Sequence, residues 1–120
     1  MNLVALRGAI TLAENSRAEV EEKTQRLVKE MLARNDVAHD DLVSIIFTAT
    51  DDVTAEFPAA AARALGLGDV PLLCARELNI EGAMALCVRV MMHLYTERSR
   101  AELHHVYLEG ARGLRDDLPE

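Results

Sequence analysis

Apolar residues recur every three to four positions in some segments of this chain and alternate with polar residues in others. The segment LVALRGAITL at 3–12 is short and apolar and precedes the polar stretch AENS, which is typical of a β-strand. Ser16 then opens a helical pattern, with Glu19 at the capping-box position. The helical stripe comprises Val20, Thr24, Leu27, Val28, Met31 and Leu32. The pattern predicts a strand followed by a helix that ends near Asn35.

A second strand and a second helix are predicted next along the chain. The segment LVSIIFTAT at 42–50 carries β-branched and aromatic residues and ends at a pair of aspartates, which favours a strand. Pro58 suits the first turn of a helix, and the alanines after it favour the helical conformation. Gly66 or Gly68 would end this helix.

The most apolar run in the chain, LCVRVMMHLY at 86–95, contains an arginine, Arg89. Alternation predicts a strand here, because a helix would surround the arginine with apolar side chains. One strand face comprises Leu86, Val88, Val90, Met92 and Leu94, and the other comprises Cys87, Arg89, Met91, His93 and Tyr95. Burying a guanidinium is costly unless it has a partner. The spacing alone favours a structural ion pair or a sheet-edge arginine, and a binding site is the alternative.

The order of the elements indicates an α+β fold. A short apolar run at 70–75 precedes a helix-like patch at 80–85, and LHHVYL at 103–108 predicts a last strand. These elements predict a mixed β-sheet with helices packed on one face. The other sheet face would need cover, which a homo-oligomer would supply. A chain of 120 residues is expected to form a single domain, 1–120.

Composition and charge exclude several classes of protein. A net charge of −7 provides no electrostatic footprint for nucleic acid or an anionic membrane. The sequence has neither an apolar stretch long enough to span a membrane nor the features of a signal peptide. Cys74 and Cys87 lie in apolar runs and lack C-x-x-C spacing. We therefore expect free thiols in a cytoplasmic protein, rather than a disulfide or a zinc site.

The commoner catalytic motifs are absent from the sequence, which contains no G-x-S-x-G, P-loop, G-x-G-x-x-G or H-E-x-x-H. The adjacent His104 and His105 would point to opposite faces of a strand, so they could not share a metal. If the protein is an enzyme, we expect it to use no metal, no cofactor and no covalent intermediate. Four arginines with apolar or glycine neighbours could form a site for carboxylates, although surface positions are the default for Arg63 and Arg115. The four are Arg7, Arg63, Arg89 and Arg115.

Several segments together resemble the monofunctional chorismate mutases of the AroH-like class, nearly end to end. They are R-G-A-x-T at 7–11, TATDD at 48–52 with FPA at 57–59 and Arg63, VPLLCARELNIEG at 70–82, CVRVMMH at 87–93 and HVYLEGARGLR at 105–115. The combination, in this order and at these separations, is highly specific. The resemblance implies an enzyme that rearranges chorismate to prephenate. It also implies a homotrimeric pseudo-α/β barrel with three active sites at subunit interfaces.

The resemblance further implies roles for individual residues. Arg89 would face the ether oxygen that gains negative charge, and Glu77 would accept from the ring hydroxyl of the substrate. The other implied contacts are Arg7 and Tyr107 on a carboxylate, Cys74 beside the ring hydroxyl, Leu73 in the pocket wall, Phe57, Arg63 and Leu114 from the neighbouring subunit, and Arg115 at the mouth. Ala60 stands where some relatives carry a basic residue, which removes one peripheral carboxylate contact.

The implied reaction is unimolecular and pericyclic, so it needs no nucleophile, acid, base or metal, in agreement with the absent motifs. Two alternatives are a non-catalytic trimer that binds an aromatic-pathway acid and an imine deaminase of the Rid type. The signature segments of the deaminase are not evident in this sequence. The presence of Glu77 and Arg89 beside Arg7 and Tyr107 favours catalysis over a sensor, which needs only the carboxylate contacts.

Overall fold

The computed structural model of the protein describes residues 1–115, which form one five-stranded sheet and a few helices. The strands are β1 (Asn2–Thr11), β2 (Leu42–Ala49), β3 (Leu72–Arg76), β4 (Cys87–Thr96) and β5 (Val106–Leu108). The α-helices are α1 (Arg17–Arg34) and α2 (Pro58–Ala62), and short helical turns occupy His39–Asp41, Arg63–Leu67, Arg100–Glu102 and Glu109–Arg115. The structure confirms the strands predicted at 3–12, 42–50 and 86–95. It also confirms the helices predicted after Ser16 and at Pro58.

The sheet is mixed, with strand order β3-β2-β4-β1-β5. Strand β4 is antiparallel to both of its neighbours, β1 and β2. The outer pairs, β1 with β5 and β2 with β3, are parallel. The predicted α+β fold with a mixed sheet is therefore confirmed.

Helix α1 begins where the sequence pattern placed it. The hydroxyl oxygen of Ser16 accepts a hydrogen bond from the backbone N–H of Glu19, at 3.2 Å. The carboxylate of Glu19 accepts from the backbone N–H of Ala13, at 2.7 Å, instead of completing the reciprocal half of a capping box. Glu19 thus ties the helix to the segment that leaves β1.

Both α-helices pack on one face of the sheet. The predicted apolar stripe of α1 is buried from Val20 to Met31, and the apolar face of β4 is at most 3% exposed from Val88 to Leu94. Gly8 lies where α1 crosses β1: a Cβ atom at this position would come within 2.6 Å of the sulfur of Met31. The absence of a side chain there allows the helix to approach the strand closely.

The opposite face of the sheet bears exposed apolar side chains. Leu3 is 58% exposed, Leu73 is 60% exposed and Tyr95 is 45% exposed. Leu3 and Tyr95 are register partners on β1 and β4, so they form part of one continuous surface. Cover of this face by a homo-oligomer stays a prediction.

Two predicted elements differ in the structure. The prediction of a helix at 80–85 is wrong: this segment is a turn in which Gly82 has φ +81°, outside the range of a right-handed helix.

The last strand is shorter than the predicted 103–108 and is confined to 106–108. The side chain of Asn35 binds both the N–H and the carbonyl of His104, at 2.7 and 2.8 Å. Those backbone groups are therefore committed to the end of α1 rather than to a neighbouring strand.

The adjacent histidines, which the prediction placed within the last strand, precede β5. The ring of His105 accepts at Nδ1 from the backbone N–H of Arg7, at 2.9 Å, and so fastens this segment to β1. Within residues 1–115, no group of three His, Cys, Asp or Glu side chains could hold a metal ion. None of the helices in the same range is long and apolar enough to cross a membrane.

Candidate active site

A cavity of about 230 Å³ opens on the sheet face opposite the helices. Its lining comes from β1, β2, β4, β5 and the residue after β3. The lining residues are Arg7, Gly8, Ile46, Thr48, Glu77, Arg89, Val90, Met91 and Tyr107. The structure therefore brings together four of the predicted site residues, namely Arg7, Glu77, Arg89 and Tyr107.

The register of the sheet explains why these side chains meet. Arg89 on β4 pairs with Ala9 on β1 and with Thr48 on β2. Ala9 pairs in turn with Tyr107 on β5. Directly paired residues project from the same face of a sheet. The small, fully buried Ala9 thus separates Arg89 from Tyr107 and leaves space between them.

Arg89 and Glu77 form an ion pair inside the cavity. The Nε atom of Arg89 lies 3.4 Å from Oε2 of Glu77, and the two side chains are 42% and 27% exposed. Within residues 1–115 the buried Nε atom makes no hydrogen bond, since this contact lacks hydrogen-bond geometry. The contact between these two side chains is therefore an ion pair without hydrogen-bond geometry.

Glu77 is held at several atoms. Its backbone N–H donates to the carbonyl of Ala49 at 3.0 Å, which extends the pairing of β3 with β2 by one residue. Oε2 accepts from the hydroxyl of Thr48 at 2.9 Å, and Oε1 accepts from the backbone N–H of Leu78 at 3.3 Å. The carboxylate therefore has a defined direction over the cavity.

The type I chorismate mutase family model matches residues 3–118 of this sequence. The chain belongs to the type I chorismate mutase family. It is 40% identical over 114 residues to chorismate mutase AroH of Thermus thermophilus, covering 94% of this chain and 93% of that relative. It is 36% identical over 119 residues to chorismate mutase AroH of Bacillus subtilis (strain 168), covering 98% and 94%.

The structure is also similar to that of a chorismate mutase from Clostridium thermocellum, with a TM-score of 0.89 and 44% sequence identity. The similarity covers 91% of this chain and 97% of that chain. At this identity and coverage, the shared family is evident in both sequence and fold.

In this chorismate mutase family member, Cys87 packs behind Arg89. The thiol is buried beside Ala9 and Ala111. Burial raises the pKa of Cys87, and the positive charge of Arg89 and its hydrogen bond to the thiol oppose that shift only in part. The thiol is therefore neutral at physiological pH and acts as a small apolar support for the guanidinium.

The first residues of β4 are positioned by a network that the sequence analysis did not identify. Leu86, just before the strand, has φ +48°, and its N–H donates to both carboxylate oxygens of Asp52 at 3.0 and 3.1 Å. Its carbonyl accepts from the N–H of Leu12 at 2.8 Å. The hydroxyl of Thr50 donates to Asp52 and accepts from the N–H of Cys87. The TATDD motif contains Thr50 and Asp52, but only the fold shows that they bind the backbone at the start of the strand that carries Arg89.

Other predicted site residues of this family member lie outside the cavity. Phe57, which is 67% exposed, and Cys74 line a separate hollow of about 570 Å³ next to the end of β3. Cys74 also packs partly against the core beneath the helices. Leu73 and Arg63 are exposed to solvent. In its own chain, none of these four contributes to the cavity around Arg89.

Leu114, which the resemblance implied in the wall of a neighbouring subunit's site, keeps that role as a prediction. It packs against the cluster of Ala9, Cys87 and Ala111 of its own chain, as Tyr107 does. The Glu109–Arg115 turn folds back over β1, where the N–H of Gly110 donates to the hydroxyl of Thr11 at 2.8 Å. Leu114 does not line the cavity around Arg89 in its own chain. The side chain of Arg115, expected at the mouth, lies outside the described part of the structure.

Proposed function

We propose that this protein catalyses the rearrangement of chorismate to prephenate, with Arg89 and Glu77 as its catalytic residues. The observation that supports this is the ion pair of Arg89 and Glu77 in a cavity also lined by Arg7 and Tyr107. Two guanidinium groups and one carboxylate give the lining a local positive charge, although the whole chain carries −7. Such a site suits a dicarboxylate substrate.

The reaction breaks a C–O bond while a C–C bond forms within the same molecule. Negative charge develops on the ether oxygen and positive charge on the ring. Arg89 faces the ether oxygen, and its guanidinium stabilises the negative charge that develops on that atom. Glu77 accepts from the ring hydroxyl and stabilises the positive charge, while Arg7 and Tyr107 bind a carboxylate and hold the substrate in a compact conformation.

The energetics agree with this division of roles. An acceleration of about 10⁶-fold requires about 8 kcal/mol of transition-state stabilisation. A preorganised donor aimed at a developing oxyanion contributes about 3–4 kcal/mol. Conformational restriction of the substrate by the carboxylate contacts supplies the remainder. Arg89 is then the largest single contributor.

The complete site lies between subunits of a homotrimer, in which a neighbouring chain contributes Phe57 and Arg63, while Leu73 lines the pocket and Cys74 lies beside the ring hydroxyl. The cavity of one chain, about 230 Å³, is smaller than the roughly 300–1,000 Å³ of most ligand pockets. These four side chains do not line that cavity in their own chain. The apolar sheet face around the cavity is exposed, as expected of a surface that another subunit covers.

The location proposed for this reaction is the cytoplasm. Cys74 and Cys87 are both free thiols, which are typical of a reducing compartment.

Loss of chorismate absorbance, with detection of prephenate, tests the proposal on the purified protein. We expect turnover by the wild type and nearly complete loss in Arg89→Ala. Arg34→Ala is the control, because Arg34 forms a surface pair with Glu30 on α1. Binding of chorismate without turnover at micromolar protein would favour a non-catalytic binder and contradict the proposal.

A further inference from the structure

Thr48 lies between the two proposed catalytic residues. It is half-buried on β2, and its register partner on β4 is Arg89. Its hydroxyl donates to Oε2 of Glu77 at 2.9 Å, and the same oxygen lies 3.4 Å from Nε of Arg89. One carboxylate oxygen therefore faces two donors that belong to adjacent strands.

The two ends of this contact differ in how they are anchored. Glu77 follows the last residue of β3, at the edge of the sheet, and leads into the turn that contains Gly82. Thr48 lies inside β2, between β3 and β4. A hydroxyl on an inner strand can thus hold the side chain of a residue whose own backbone leaves the sheet.

We propose that Thr48 is a positioning residue for the Glu77 carboxylate. Its hydrogen bond holds Oε2 near β2 and keeps the carboxylate at 3.4 Å from Nε of Arg89, outside hydrogen-bond geometry. Without the hydroxyl, Oε2 loses this neutral donor, and the carboxylate closes on the guanidinium to form a direct charge-assisted hydrogen bond. That closure moves the Glu77 carboxylate away from the substrate.

This inference rests on the proposed function and predicts a specific kinetic change. The hydroxyl acts on the two residues that interact with developing charge, so its loss lowers kcat more than it raises KM. Misplacement of a catalytic group by a lost supporting hydrogen bond costs about 10–100-fold. We expect a fall of this size in kcat for Thr48→Val, with KM for chorismate changed by less than about threefold.

Thr48→Ser separates the hydroxyl from the methyl group. It retains the donor, so we expect kcat within about threefold of the wild type. Thr24→Val is the matched control, because Thr24 is buried in α1 and its hydroxyl has no hydrogen-bond partner within residues 1–115. We expect kcat of this control to be within about twofold of the wild type.

A double-mutant cycle tests whether Thr48 acts through Glu77. In a Glu77→Gln background, Thr48→Val should lower kcat by less than about threefold further, because the carboxylate that it positions is already gone. A full 10–100-fold additional loss there would overturn the inference. Unchanged kcat in Thr48→Val, or equal losses in Thr48→Val and Thr48→Ser, would also overturn it. Circular dichroism checks folding, and Thr48→Ala replaces the valine variant if that variant does not fold.

The activity of the wild type separates a failure of the proposed function from a failure of the inference about Thr48. No turnover of chorismate by micromolar wild-type protein would overturn the proposed function itself. Turnover by the wild type with undiminished kcat in Thr48→Val would overturn only the positioning role of Thr48.

Discussion

The guanidinium of Arg89 and the carboxylate of Glu77 lie side by side, with Nε 3.4 Å from Oε2. Arg89 projects from the central strand β4, whereas Glu77 follows the edge strand β3, so the pair spans the intervening strand β2. In a reaction that separates charge, each member of this pair suits a different end of the substrate.

Replacing Arg89 by lysine tests the importance of the guanidinium geometry. Lysine keeps the charge but places it at the end of a flexible stem, without the planar fork of donors. We expect kcat to fall by about 10²–10³-fold, the usual cost of removing a preorganised oxyanion donor. Steady-state kinetics with chorismate give the value, with Arg34→Lys on the surface of α1 as the control. A fall of less than about tenfold would contradict the proposed role of Arg89.

Mixed assemblies test whether two subunits share one site. In the proposed shared site, Arg63→Ala and Arg89→Ala should each be inactive alone, because each would remove a charged contact from every site. When the two variants are combined in one oligomer, some sites receive both native arginines, and part of the activity returns. The measurement is turnover by co-expressed, differently tagged chains purified through both tags. Demonstrably mixed oligomers without recovered activity would show that Arg63 does not complete the site of a neighbouring chain.

The buried thiol of Cys87 predicts a pH dependence of stability. Its pKa is raised above the ordinary value of 9.0, mainly by burial. The unfolded chain therefore loses the proton first, and the contribution to stability, complete below pH 9, is lost as pH rises through the folded pKa. We expect the free energy of unfolding, measured by denaturant at fixed protein concentration, to fall more steeply above pH 9 in the wild type than in Cys87→Ala. Identical slopes in the wild type and Cys87→Ala would contradict this prediction.

The close approach of α1 to β1 predicts a stability cost for Gly8→Ala. The new methyl carbon would lie 2.6 Å from Sδ of Met31 and 3.1 Å from Cδ1 of Leu27, so the helix or its side chains must shift. Overpacking of this kind costs about 1–3 kcal/mol of unfolding free energy. Gly113→Ala is the matched control, because a Cβ there would meet nothing within 4 Å. We expect the control to change stability by less than about 0.5 kcal/mol in denaturant titration. Equal stability of the two variants would contradict the packing argument.

The alternation of residues in β4 was sufficient to predict both the strand and its two faces. Alternation separated its buried face from the face that bears Arg89, and the structure has the same division. The position of Ser16 likewise predicted the start of α1. The two failures arose where a distant or conformational constraint took over, as with the left-handed Gly82 and the backbone of His104 held by Asn35. Neither constraint leaves a periodic signal in its own segment.

The candidate site was accessible from the sequence only through a family resemblance. Spacing alone allowed Arg89 to be a structural ion-pair partner, a sheet-edge arginine or part of a binding site. The residues near Arg89 in the sequence do not show that Glu77 lies across β2 from it. Thr48 was overlooked for the same reason: its role depends on register with Arg89 and on a hydrogen bond to a residue beyond the next strand.

By itself, the sequence determined the direction of side chains along each strand and helix, since that direction follows from backbone geometry and short-range periodicity. Through its motifs, it also determined the family. Only the tertiary structure decided that Arg7, Thr48, Glu77, Arg89 and Tyr107 line one cavity, because strand order and register join residues that are far apart along the chain. Burial of Cys87 and the contact of Gly8 with α1 are likewise properties of packing, which no single segment contains.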